Sequence, residues 1–366
     1  MAFHGGDIET AAEQTGRTRW LDFSANISPL GVPDSVKQAI VQAAEHLSHY
    51  PDPYQRKLRR ALAETHRVLP EQIVCGNGGA DIIFRTLRCL RPRRALLPVP
   101  CFSEYEEALT EAGCRVTRWY LPEPFQITRS LCEALENGCY DCLVLCNPNN
   151  PTGSVIEPEL LESILETAKQ KQMFVLMDEC FYDMTEDLEE RNSCIRKIDA
   201  FPNLLVVRSL TKRYAIPGLR LGYGICGDVR RIEHIRTTGQ PWPVNTLAAE
   251  AACTVLNDKA YQMQFREFLQ QARPDLQRGL TQLGFQVWDS HANFLFFRAK
   301  GMSHLDLDLQ EFGILLRHCD TYPGLNADYY RAAVRLPKEN AKLLSDLKSC
   351  LSAGACGGAQ CLKGEV

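Results

Sequence analysis

No run of about eighteen apolar residues occurs in the chain, so no segment reads as a membrane-spanning helix. The opening residues, MAFHGGDIETAAEQTG, lack an apolar core, so no signal peptide is expected and the expected location is the cytoplasm. Charge of one sign does not accumulate. Lys and Arg number 41 against 45 Asp and Glu, a formal net charge of −4, which leaves no basic field for a nucleic acid. No internal repeat or low-complexity tract precedes the C-terminal tail. What is present is ordinary for a globular protein, with 45% hydrophobic and 23% charged residues. At 366 residues, two domains are the default expectation.

Cysteine is plentiful, at sixteen. Most cysteines stand singly inside apolar segments, as Cys75, Cys89, Cys146 and Cys180 do, and read as buried free thiols of a reducing compartment. The tail CLSAGACGGAQCLKGEV carries Cys350, Cys356 and Cys361 without a packing pattern, and flexible chain is expected there. Its spacing is not a CxxC pair and no histidine follows, so no metal site is assigned.

Short apolar runs at 141–147 (DCLVLCN), 173–179 (MFVLMDE) and 204–209 (LLVVRS) read as strands buried on both faces of a parallel sheet. Residues 157–172 between the first two have helical spacing, which makes a right-handed βαβ unit. ALLPVP and CRVTRWY add strands around a helix at 101–113. Residues from about 70 to 230 therefore read as a doubly wound α/β domain with a mostly parallel sheet. After GQPWPVNT (239–246) a long helical stretch at 246–284 and alternating runs at 285–299 and 329–336 predict a smaller C-terminal α+β domain. The expected organisation is an N-terminal arm (1–36), a large domain (37–250), a small domain (251–350) and a tail (351–366).

Ligands of such sheets sit outside the carboxyl ends of the strands. Those ends here bring Asn147 to Gly153, Asp178 to Phe181, and Ser209 to Lys212, together with the Gly-rich turn GNGGAD (76–81). Taken singly, each has a plain reading. GNGGAD matches neither GxGxxG nor a Walker pattern and could be a tight turn. Asp178 could cap the end of a strand, NPNNPTG could be a turn, and Lys212 could be a solvated lysine. Together they fit pyridoxal 5'-phosphate. That cofactor needs a lysine for its aldehyde, a carboxylate opposite its pyridinium nitrogen and donors for its phosphate. Ser209 and Arg220 flank Lys212 and suit the phosphate.

The blocks NPNNPTG, DEC-F and SLTK…PGLRLGY make the chain resemble the fold-type I pyridoxal phosphate enzymes over about residues 1–350. FHGGD, DFSANISPLG, HYPDPY and SLTKRYAIPGLRLGY make it similar to the histidinol-phosphate aminotransferases, and more so to the threonine-phosphate decarboxylases of cobalamin synthesis. The resemblance implies that Lys212 forms the Schiff base, Asp178 pairs with the pyridinium, Asn150 holds the ring oxygen and Phe102 stacks on the ring. It implies that Ser209, Arg220 and the amides of Gly79 and Ala80 bind the cofactor phosphate. Tyr50 would reach the phosphate of a neighbouring subunit, which implies a homodimer with shared sites, and Arg331 would clamp the substrate carboxylate.

Between the two reactions, the resemblance leans toward decarboxylation of a phospho-amino acid. Phe181 stands where the aminotransferases carry a tyrosine, as in the decarboxylases. One departure from the usual pattern bears on the phosphate site instead: GGAD replaces the common acidic residues after the Gly-rich turn, and backbone amides are still expected to hold the cofactor there. His4 and Asn26 follow the decarboxylase pattern near the substrate. Arg335, four residues after Arg331, offers with Arg317 further cations for a substrate phosphate. The expected reaction is loss of carbon dioxide from threonine phosphate, with a histidinol-phosphate-type transamination as the alternative. A pyridoxal phosphate-sensing regulator would need a DNA-binding helix-turn-helix ahead of RWLDFSANISP, and none is expected there.

Overall fold

The computed structural model describes residues 5–185 and 192–360. A short arm strand, β1 (Leu21–Asp22), precedes β2 (Ile73–Gly76), β3 (Arg94–Val99), β4 (Arg115–Tyr120), β5 (Cys142–Cys146), β6 (Phe174–Asp178), β7 (Leu204–Ser209) and β8 (Gly222–Cys226). The last seven form one sheet in the order β2-β8-β7-β6-β5-β3-β4. β3 to β7 pair in parallel, and β8 runs antiparallel to both β7 and β2. The strands expected at 141–147, 173–179 and 204–209 are β5, β6 and β7 within a residue or two. β2 and β4 are the two edges, and on β4 the exposed arginines Arg115 and Arg118 discourage further pairing.

Alternation along the strands builds two cores. Val175, Met177, Leu204 and Val206 enter the cluster on one face, while Leu176, Leu205 and Val207 enter the other. Each such side chain contributes roughly 1.5–3 kcal/mol on burial. Helices Gly79–Leu90 and Glu104–Glu111 supply Ile82, Leu87 and Leu109 to one face. Helix Pro158–Gln170 supplies Leu161, Ile164 and Leu165 to the other.

The small sheet joins β9 (Gln286–Val287), β10 (Phe294–Arg298), β12 (Arg317–His318) and β13 (Tyr329–Ala333) in the antiparallel order β12-β13-β10-β9. β11 (Ile314–Leu315) pairs instead with β1, in parallel. The helical stretch expected at 246–284 is two helices, Thr246–Val255 and Lys259–Gln282, because Asp258 caps the second through the Tyr261 amide. The expected domain boundary after residue 250 falls inside the first of these, where Ala248, Ala251, Ala252 and Val255 belong to one continuous core. At the other end, helix Pro337–Gln360 runs on into the segment expected to be a flexible tail, and Cys350 is buried in the core. The apolar periodicity of Leu343 and Leu347, which carries on to Cys350, outweighs the Gly/Ala composition that follows. Residues 361–366, with Cys361, lie outside the described residues.

Behind the carboxyl ends of β6 and β7 lies a buried ionic network. Arg208 pairs with Glu179 at 2.8 Å and with Asp183 at 2.7 Å. Ser193 donates to Glu179 at 2.7 Å and accepts from Arg208 at 2.9 Å, and the Cys194 amide donates to Glu179 at 2.7 Å. Because the Arg208 and Glu179 side chains are essentially inaccessible to water, removing either partner leaves an uncompensated buried charge. Arg208→Met is therefore expected to lose about 3–5 kcal/mol in urea unfolding. Arg278→Met, which breaks a surface pair with Asp275, is expected to lose less than about 1 kcal/mol.

Candidate active site

The strand ends, the Gly-rich turn, the arm and the small sheet enclose a cavity of about 410 Å³. Gly79, Ala80, Phe102, Asn150, Asp178, Ser209, Lys212, Arg220, Asn26, Arg317 and Arg331 all line it. These groups come from positions far apart in the chain, and the fold brings them to one place.

On β6, Asp178 shares the face of Leu176, while Glu179 turns to the ionic network behind. Both oxygens of the Asp178 carboxylate are engaged. Tyr105 donates its hydroxyl to Oδ2 at 2.7 Å, and the Cys180 amide donates to Oδ1 at 2.8 Å. Burial, reinforced by the Asp178 charge, pushes the Tyr105 phenol well above its ordinary value, so it stays a donor. Lys212 follows β7 and lies 5.6 Å from the Phe181 ring centre. Its carbonyl accepts from the Ser28 amide at 2.9 Å, which ties the lysine's backbone to the arm.

The turn before helix Gly79–Leu90 explains its glycines. Gly78 has φ +93°, and a Cβ there would lie 2.5 Å from the Arg220 guanidinium. Gly222 on β8 packs directly on the Gly78–Gly79 backbone, so a Cβ there would collide with it. The first amides of the helix are thus held beside Arg220, Ser209 and Thr211, whose two hydroxyls lie 2.8 Å apart. Free amides, the helix dipole, hydroxyls and a guanidinium make an anion cradle.

Opposite this cradle, Arg331 donates to the Asn150 side-chain oxygen and, at 2.8 Å, to the Ser24 carbonyl. Arg317 reaches Thr321 at 3.1 Å and lies over Tyr322. Asn26 Oδ1 and Arg331 Nε are buried without a hydrogen-bond partner among the described residues. Both residues line the cavity, so its wall carries donor and acceptor groups of the kind that fit a polar ligand.

Three expected site residues stand elsewhere. Arg335 does not reach the cavity: its guanidinium pairs with Glu339 at 3.1 Å and donates to the Asp22 carbonyl at 3.0 Å. It clamps the arm, so the expectation that it binds a substrate phosphate is corrected. On a strand, Arg331 and Arg335 share a face only while the strand lasts, and β13 ends at Ala333. Tyr50 is 80% exposed and stacks on Trp242 at 4.5 Å, away from this chain's own cavity. His4 lies outside the described residues, although its neighbour Gly5 lines the cavity.

Sequence reasoning missed Tyr105, Thr211, Tyr322 and Ser24, all at or touching the site. Tyr105 was signalled by its spacing, one helical turn beyond Phe102. Thr211 lay inside the block already singled out. Tyr322 and Ser24 had no local signal, because only the tertiary fold brings them in.

Residues 18–344 match the family model described as aminotransferase class I and II, and the chain belongs to that family. Within it, the chain is 40% identical over 358 residues to a threonine-phosphate decarboxylase from Salmonella typhimurium, covering 95% of this chain and 96% of the relative. A histidinol-phosphate aminotransferase from Clostridium acetobutylicum overlays with a TM-score of 0.84 at 31% identity, over 90% of this chain and 98% of that one. An L-threonine-O-3-phosphate decarboxylase from Porphyromonas gingivalis overlays at 0.79 with 26% identity, over 90% and 99%.

Gly222→Ala forces the Gly78–Gly79 turn off β8 and is expected to cost about 1–3 kcal/mol. Gly218→Ala, which meets open space, is expected to stay within about 0.5 kcal/mol of the parent. Thermal unfolding of the two variants checks both.

Proposed function

We propose that the protein is a pyridoxal phosphate-dependent carboxy-lyase that decarboxylates L-threonine O-3-phosphate to (R)-1-aminopropan-2-ol O-2-phosphate, a step of cobalamin biosynthesis. The observation that carries this reading is the near full-length similarity to a threonine-phosphate decarboxylase. It is joined to a cavity whose wall holds two arginines opposite an anion cradle.

The residues present fit the cofactor. Gly79 and Ala80 amides, Ser209, Thr211 and Arg220 would hold its phosphate. Lys212 would hold its aldehyde, Phe102 its ring face and Asp178 its ring nitrogen. When bound, pyridoxal phosphate supplies an electron sink for the bond broken at the substrate Cα. Asp178, oriented by hydrogen bonds from the Tyr105 hydroxyl and the Cys180 amide, would pair with the ring nitrogen. Asn150 has its oxygen engaged by Arg331, which leaves its amide nitrogen to donate to the ring oxygen.

Arg331 presents a guanidinium fork to the substrate carboxylate and so sets which bond at Cα stands across the ring. Arg317 and Asn26, with His4 from the arm, would take the substrate phosphate and amine side. Lys212 Nζ is the group placed to move a proton at Cα after carbon dioxide leaves. Phe181 brings no hydroxyl to the ring, and its ring centre lies 5.6 Å from Lys212 Nζ.

A homodimer is part of this reading. Tyr50 and its stacked partner Trp242 stand exposed with Val41, Leu47 and Tyr54, the kind of apolar surface that a second copy covers. Tyr50 would then reach the cofactor phosphate of the neighbouring subunit. A cytoplasmic location belongs to the same reading. No helix among the described residues is long and apolar enough to cross a membrane.

The close overlay on a histidinol-phosphate aminotransferase favours transamination as the second reading. Incubation with threonine phosphate, serine phosphate, or histidinol phosphate plus 2-oxoglutarate separates the two. Carbon dioxide from threonine phosphate is expected, and glutamate without carbon dioxide would sink the decarboxylase. Arg331→Lys, which loses the planar fork, is expected to lower kcat/KM for threonine phosphate by roughly 10- to 100-fold in the same assay.

A further inference from the structure

The small sheet sets two like charges side by side. Arg317 on β12 is paired in register with Arg331 on β13, and both line the cavity. Residues directly opposite on antiparallel strands share a face, with Cβ atoms about 4.5–5.5 Å apart. Arginine keeps its charge, so two guanidiniums placed in this way repel each other. The side chain that meets both comes from the hairpin joining the two strands. The Arg317 guanidinium lies over the ring of Tyr322, 5.3 Å from its centre, and the Tyr322 hydroxyl lies 3.5 Å from Arg331 Nη1. The ring is buried and packs with Leu121, Phe125 and Phe296, which leaves it no room to swing aside.

We propose that Tyr322 is a positioning residue that fixes the spacing between Arg317 and Arg331, and with it the length of the dianion the cavity accepts: one with a carboxylate and a phosphate ester on adjacent carbons. This rests on the reading above, in which Arg331 takes the carboxylate and Arg317 the phosphate. Arg331 is anchored from behind by the Asn150 side-chain oxygen and the Ser24 carbonyl. Arg317 is held by the Thr321 hydroxyl at 3.1 Å and by the face of the Tyr322 ring. The spacing is therefore decided on the Arg317 side, where a guanidinium rests on a flat aromatic face.

Without the ring, repulsion from Arg331 drives Arg317 outward. A phosphate on the carbon next to the carboxylate then loses its second cation, and a phosphate one carbon further out gains it. Selectivity between the two lengths is a difference of affinities, so it falls even where the overall affinity changes little. A tyrosine that only packs would weaken both lengths alike.

The test uses the pyridoxal phosphate-loaded enzyme and two ligands that lack an amine and so do not react. They are 3-(phosphonooxy)propanoate, with its charges on adjacent carbons, and 4-(phosphonooxy)butanoate, one carbon longer. Titration calorimetry gives both dissociation constants for the parent, Tyr322→Phe, Tyr322→Leu, Arg317→Gln and the last two combined. The parent is expected to prefer the shorter ligand by about tenfold or more. Tyr322→Phe keeps the aromatic face and should retain that ratio to within about threefold. Tyr322→Leu should bring the ratio to within about threefold of unity, and should leave it unaltered in the Arg317→Gln background. Tyr322→Met takes the place of the leucine variant if that chain does not fold. A parent ratio kept by Tyr322→Leu, or lost equally by Tyr322→Phe, overturns the assignment. Carbon dioxide release from threonine phosphate by a parent with no preference between the two ligands overturns this inference alone. The preference without that release overturns the decarboxylase reading alone.

Discussion

The buried contact between Arg208 and Glu179 fixes how the ends of β6 and β7 lie against each other. Each residue is the sequence neighbour of a group that faces the cavity, Ser209 in one case and Asp178 in the other. Side chains alternate across a strand, so the ionic network on one face and the reactive groups on the other are locked by the same backbone. Glu179 N–H donates to the Val207 carbonyl at 2.9 Å, which continues the ladder to the last residue before Arg208. A slip of one residue in this register would bury Asp178 and Ser209 and turn the ion pair into the cavity. The network is costly to desolvate, and its worth is that it permits one register.

The arm and the small sheet complete what the large sheet begins. Phe23 accepts from the Ala333 amide at 2.8 Å, Asn26 accepts from the Asn293 side chain at 3.0 Å, and Ser28 donates to Lys212 at 2.9 Å. The arm is thereby stitched to β13 on one side and to the lysine on the other. Arg335 adds to this stitching rather than to substrate recognition. Arg331, two residues before the end of β13, faces the cavity together with Arg317 and Arg220.

Much of this was legible in the residues themselves. Continuous apolar runs marked β5, β6 and β7, because strands buried on both faces need no polar side. β2 (IVCG) and β8 (GYGIC) were not legible, since their glycines carry no strand signal. Gly222 is there to let the phosphate-type turn approach, a tertiary reason. Of the site, the groups at strand ends could be collected by the rule that ligands sit there. Arg317 and Arg331 came from the resemblance alone. Arg335 was misplaced because spacing in sequence does not show where a strand stops. Tyr105 was missed because a buried phenol looks like core until its hydroxyl is seen against a carboxylate.

The central claim is that the cavity breaks the bond from Cα to the carboxylate held by Arg331. The mass of the amine formed from threonine phosphate in deuterium oxide tests it most directly. A decarboxylase keeps the original Cα hydrogen and takes a single proton from solvent in place of carbon dioxide. The amine is therefore expected to carry one non-exchangeable deuterium at that carbon. A keto product with no such amine, or recovered threonine phosphate labelled at Cα, would show that the Cα–H bond is the one broken and would contradict the claim.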